Sequence, residues 1–109
     1  MSFEFEMMLV GVLLFAIGVP LALKLVLPNP LYGVRTAKTP ASLDVWYASN
    51  RSAGINMAIT GIAIADAALV IPRLMPDYWE GVRVLVVAVI VILAILIMLA
   101  RILWQVLRL

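Results

Sequence analysis

The sequence predicts an all-α membrane protein: three transmembrane helices, with an interfacial amphipathic extension at the start of the second. Three observations predict it: a composition too apolar for a watery surface, three runs long enough to cross a bilayer, and proline-marked breaks between them. Of 109 residues, 66% are hydrophobic and only 13% charged, and the mean hydropathy is +1.17. Soluble domains have roughly 45–50% apolar residues and about a quarter charged. So few polar side chains cannot cover a water-exposed surface, which leaves lipid as the solvent. The whole chain, 1–109, reads as a single three-span domain.

Crossing about 30 Å of hydrocarbon takes roughly 20 helical residues. The first span is expected at about 7–27, with Lys24 snorkelling towards the headgroups and Pro28 and Pro30 stopping the helix. Glu4 and Glu6 stand where a signal peptide needs positive charge, so this run is expected to be retained. Gly11 and Gly18, seven apart, share a face, and small residues on one face mark helix–helix contact in membranes. Pro20 is expected to kink this helix. The second span, about 52–71, ends at Pro72 and carries Asn56, Thr60 and Asp66. Its Gly54, Ala58, Gly61 and Ala65 fall on one ridge at 100° per residue, which places this helix at the centre of the bundle. The third span, about 82–104, has no charge from Val84 to Ala100 and reads as a lipid-facing wall. Tyr78, Trp79 and Trp104 bracket it as interfacial aromatics.

Between the first two spans, Thr39 and Pro40 read as an N-cap and first helical residue. A helix from there to Ile71 would be about 48 Å long, so its first turns are expected in the headgroup layer, anchored by Trp46 and Tyr47. With three spans, one side of the membrane holds Arg73 and Arg83. The other holds Lys24, Arg35, Lys38, Arg51, Arg101 and Arg108. Two against six places the N-terminus outside and the C-terminus in the cytoplasm of a cell membrane. The net charge of +2 and pI near 9.4 come from these flanks and suit an anionic membrane surface.

Catalytic chemistry finds little to work with. Cysteine and histidine are both absent, which removes disulfides, thiolate metal sites and the usual nucleophile–base sets. No metal cluster, phosphate loop, cofactor box or nucleic-acid motif is present, so no enzyme, cofactor or nucleic-acid partner is expected. Asp66 is the only acid inside a span, and an intramembrane carboxylate is a functional candidate by default. It could relay protons or bind a cation, or more blandly pair with Arg73 or Arg83 or reach water. Asn56 and Thr60, one turn apart on another face, suit interhelical hydrogen bonds or the lining of a small cavity. Arg35, Lys38 and Arg51 surround a helix start rich in hydroxyls, Thr36, Thr39 and Ser42. That arrangement could hold an anion or simply anchor the chain at the membrane. Gly33 suggests a tight turn that brings Arg35 back to the bundle.

The stretch from Asn29 to Gly61, NPLYGVRTAKTPASLDVWYASNRSAGINMAITG, resembles the SdpI/YfhL family of bacterial membrane proteins. That family carries an Asn, then Tyr/Phe-Gly-x-Arg-Thr, a Thr, a Trp, and then Asn and Gly between two spans. The matching positions here are Asn29, Tyr32, Gly33, Arg35, Thr36, Thr39, Trp46, Asn50 and Gly54. The resemblance implies a three-span unit, half of the six-span arrangement found in the family's immunity member. That member protects producing cells from a secreted toxic peptide and relays the peptide's presence to a transcriptional repressor. By extension it implies an immunity-type role here, with a peptide toxin or partner membrane protein meeting a polar pocket at the cytoplasmic interface. Asn29, Tyr32, Arg35, Thr36, Thr39, Trp46, Asn50 and Arg51 would form that pocket, with Arg35 as its central cation. The alternatives are a small proton- or ion-coupled transporter acting as a homodimer, with Asp66 and Asn56 on its path, or an accessory subunit of a membrane complex.

Overall fold

The structure, a computed structural model, describes residues 2–29, 32–33 and 43–108. Those residues form three long helices, each long and apolar enough to cross a membrane, in a rod measuring 54 × 22 × 18 Å.

Helix α1 runs Phe3–Ala22. Ser2 caps it, its Oγ accepting from the Phe5 amide at 3.1 Å, and Glu4 and Glu6 sit in the first turn, where the helix dipole favours anions. The apolar run continues to Leu27, yet the helix stops at Ala22. The Leu25 amide donates to the Pro20 carbonyl (3.0 Å) and the Lys24 amide to that of Leu21 (3.2 Å). Lys24 takes a positive φ of 60°. This is the Schellman pattern, which satisfies the last carbonyls and turns the chain. Pro28 therefore lies beyond a helix that has already ended, and Pro30 lies outside the described residues.

Helix α2 runs unbroken over Leu43–Leu74. Its 32 residues span about 48 Å, well over the ~30 Å hydrocarbon thickness, so an untilted α2 is longer than the apolar layer it crosses. It also continues through Pro72, which sits in the last turn and forfeits only the bond to the Ala68 carbonyl. A 3₁₀ turn, Asp77–Trp79, leads into α3, Glu80–Leu107.

Helix α2 is the middle of the bundle, antiparallel to both neighbours, while α1 and α3 scarcely meet. On one side Gly11 faces Gly61 and Gly18 faces Gly54. A Cβ added at Gly11 would fall 2.5 Å from the Gly61 carbonyl oxygen, and one at Gly18 would fall 2.6 Å from that of Gly54. The two backbones are thus in direct contact, and dispersion between them does the packing, since lipid offers no hydrophobic drive. On the other side Ile64 of α2 packs with Val87 and Val91 of α3, joined by Met7 and Leu14 of α1. Outward-facing Ile92, Leu93, Leu96, Ile97 and Leu99 leave most of α3 exposed, as befits a lipid-facing helix. At the end bearing the N-terminus, Arg83 bridges Glu4 (3.0 Å) and Asp77 (3.3 Å), tying α1 to α3, two helices that otherwise scarcely meet.

Candidate functional site

Two polar clusters occupy the opposite end, where α1 ends, α2 begins and α3 ends. The first is a clasp around the start of the α1–α2 connection. Asn29 closes a local turn: its side-chain amide donates to the carbonyls of Leu27 (2.7 Å) and Tyr32 (3.0 Å), and its Oδ1 accepts from the Tyr32 amide (2.6 Å). The Tyr32 hydroxyl reaches back to donate to the Ile17 carbonyl in α1. Partial burial pushes this phenol above its ordinary pKa of 10.0. Gly33 lies against the Trp46 ring and the Asn50 side chain with a φ of 121°. The Trp46 indole N–H donates to the Val26 carbonyl at 2.9 Å, and Asn50 donates to the Trp46 carbonyl at 2.8 Å. Trp46 and Asn50 are almost wholly buried, at 2% exposure each.

The second cluster lines a cleft of about 630 Å³ between the α1 terminus, α2 and α3. Lys24, Arg51 and Arg101 supply its cations, Asp44 its one carboxylate, and Ile55 and Ile59 continue it inwards along α2. Its polar wall is a network. Arg101 Nε donates to Asn56 Oδ1 at 3.2 Å, and Asn56 Nδ2 donates to Gln105 Oε1 and to the Ser52 carbonyl, both at 2.8 Å. The Ser52 hydroxyl donates to the same Gln105 oxygen. Arg51 also donates to the Ala22 carbonyl at 3.4 Å, placing a cation at the negative end of the α1 dipole. Among the described residues the only side-chain ion pairs are those of Arg83, so the cleft cations face no carboxylate at ion-pair distance.

Six of the residues singled out in the sequence divide between these clusters. Asn29, Tyr32, Trp46 and Asn50 build the clasp and spend their donors on backbone carbonyls, while Arg51 and Asn56 belong to the cleft. Arg35, Thr36 and Thr39, with Lys38, lie outside the described residues. Thr60 is half-buried one turn inward from Asn56. Asp66 does not pair with Arg83, because Glu4 and Asp77 already hold that guanidinium. It is exposed on the α1–α2 side, beside a separate hollow formed with Gly11, Phe15 and Ile62. Asn56 and Asp66 thus line different hollows. Sequence reasoning missed Arg101 and Gln105 as site residues. Their signal was that, between Val84 and Val106, they are the only polar side chains of the third span and stand four apart, on one face. No group of three or more Asp or Glu that could hold a metal occurs among the described residues.

A model of the SdpI/YfhL protein family matches residues 26–101, well over half of the chain, spanning the clasp, all of α2 and most of α3. Comparison with curated proteins and with solved structures gives no match.

Proposed function

From the premise that this chain belongs to the SdpI/YfhL protein family, we propose that it is a non-enzymatic, immunity-type protein of the bacterial cell membrane. In this reading it holds a toxic peptide by an anionic group in the cleft between Lys24, Arg51 and Arg101. The observation that carries this is the charge imbalance. The end holding the cleft takes six of the eight basic residues but only one of the six acids, Asp44. An apolar-floored cleft ringed by cations without carboxylate partners suits an amphipathic anion, because charge-assisted bonds from guanidinium to carboxylate are among the stronger polar contacts. The clasp acts beneath it as scaffold, fixing the end of α1 and the start of α2 so that Lys24 and Arg51 stand together. The same imbalance supports a cytoplasmic location for this end.

The test is survival of toxin-sensitive cells challenged with a secreted killing peptide, with and without the chain. Protection by the chain, lost in an equally abundant Arg51→Gln, Arg101→Gln double variant, is the expected result. Equal killing of cells with and without the chain removes immunity to that peptide. Full protection by the double variant removes the cleft as the site.

A further inference from the structure

We infer that the resident occupant of the cleft is an anionic phospholipid, its phosphate between Lys24, Arg51 and Arg101 and an acyl chain along Ile55 and Ile59. The inference shares with the proposed function the assignment of the cleft as an anion receptor, and adds what fills it before any peptide arrives. Three features of the cleft point to lipid. The first is depth. Arg101 lies one turn inward from Trp104 on α3, and Arg108 stacks on that indole at 5.2 Å, so Arg101 sits on the hydrocarbon side of the aromatic layer. A charge there is costly unless it is paired or reaches water.

The second feature is counter-charge. Acidic side chains at this end of the chain are limited to Asp44, because the segment 34–42 contains none. Among the described residues no carboxylate lies within ion-pair distance of Lys24, Arg51 or Arg101. Asp44 alone cannot neutralise the three cations of the cleft, whereas the membrane offers phosphates in the adjoining headgroup layer. The third is shape. Cations ring the mouth, and Ile55 and Ile59, 39% and 64% exposed, carry an apolar track inwards on the same helix. A free anion would use the mouth and leave the track empty, whereas a phospholipid matches both. Asn56, held by Arg101, Gln105 and the Ser52 carbonyl, gives the cleft a polar wall at the level of Ile55, and Ile59 continues the track beyond it.

The test is native mass spectrometry of the full chain in detergent micelles carrying equal mole fractions of phosphatidylglycerol or phosphatidylcholine, or inorganic phosphate alone. Preferential retention of phosphatidylglycerol is expected, weakened at least about tenfold in the Arg51→Gln, Arg101→Gln double variant through loss of two charge-assisted contacts. Lys24→Gln, an exposed position whose change leaves the helix packing alone, should lower retention several-fold. Arg73→Gln, at the other end of α2, should leave it unchanged. Equal retention of the two lipids overturns the inference, as does an undiminished affinity in the double variant. Binding of inorganic phosphate as tightly as phosphatidylglycerol overturns the lipid assignment. The two readings separate cleanly. Loss of protection in the double variant with lipid selectivity intact sinks the lipid site alone, and lipid selectivity without any protective effect sinks the immunity role alone.

Discussion

At the scale of single residues, the clasp explains why Tyr32, Gly33, Trp46 and Asn50 occur together. Gly33 has a φ of 121°, and a methyl there would lie 2.7 Å from Asn50 Oδ1 and 3.1 Å from the Trp46 ring. Gly33→Ala therefore meets both backbone strain and a packed wall, and should destabilise the fold by about 1–3 kcal/mol. Trp46→Phe keeps most of the ring but strands the Val26 carbonyl, for a loss of about 1 kcal/mol. Thermal unfolding in detergent, followed by circular dichroism, measures both, and a Gly33→Ala protein as stable as the parent contradicts the clasp. Tyr32 adds a pH dependence. Its phenol is raised above 10.0 in the folded chain, so the folded form holds its proton more tightly than the unfolded one. The associated stability is complete below pH 10 and drains away as pH climbs through the folded value. Tyr32→Phe should flatten that alkaline slope, and an unchanged slope would show that other groups produce it.

At the scale of elements, the contact between α1 and α2 depends on glycines that cannot be enlarged. A Cβ at Gly61 would sit 2.7 Å from the Phe15 amide nitrogen, and one at Gly11 would sit 2.7 Å from that of Ala65. These neighbours are backbone and cannot swing aside, so the helices themselves must part. Gly11→Ala and Gly61→Ala should each cost about 1–3 kcal/mol. Gly81, with nothing within 4 Å of its added Cβ, is the internal control, and Gly81→Ala should be neutral or stabilising by up to about 1 kcal/mol. Resistance to unfolding in graded detergent mixtures ranks the three. Equal behaviour at all positions would mean that the close approach of α1 and α2 is not what holds them.

Much at this scale was legible in the sequence. Heptad-spaced glycines on the first two spans announced a packing face, and the length of the apolar runs announced three crossings. The end of α1 was not legible, because the Schellman turn places Lys24 where glycine or asparagine is the usual signal. Nor was the extension of α2 past Pro72, since a proline in a final turn costs a single hydrogen bond. The cleft stayed hidden for a different reason. Arg101 and Gln105 join Asn56 only after α3 folds back antiparallel on α2, and a charge count files Arg101 with the interfacial anchors.

At the scale of the whole molecule, the chain is an electrical dipole laid across a membrane. The end with Lys24, Arg35, Lys38, Arg51, Arg101 and Arg108 against Asp44 sums to 6 − 1 = +5. The other end, with Arg73 and Arg83 against Glu4, Glu6, Asp66, Asp77 and Glu80, sums to 2 − 5 = −3, and together they give the net +2. Insertion reads the lysines and arginines, so the positive end should stay in the cytoplasm and the N-terminus outside. The absence of cysteine makes this directly measurable with single-cysteine variants. A membrane-impermeant maleimide added to whole cells should label Ser2→Cys and spare Arg108→Cys, and both should react once the membrane is opened. The bias should also be reversible by charge alone. Asp77→Lys with Glu80→Lys brings the sparse end from two basic residues to four, while Lys24→Gln with Arg108→Gln brings the rich end from six to four. With that asymmetry gone, a mixed population labelling from both sides is expected. A chain that keeps a single orientation after this levelling owes its topology to something other than the distribution of its cations. The cleft would then have no assured access to the inner leaflet.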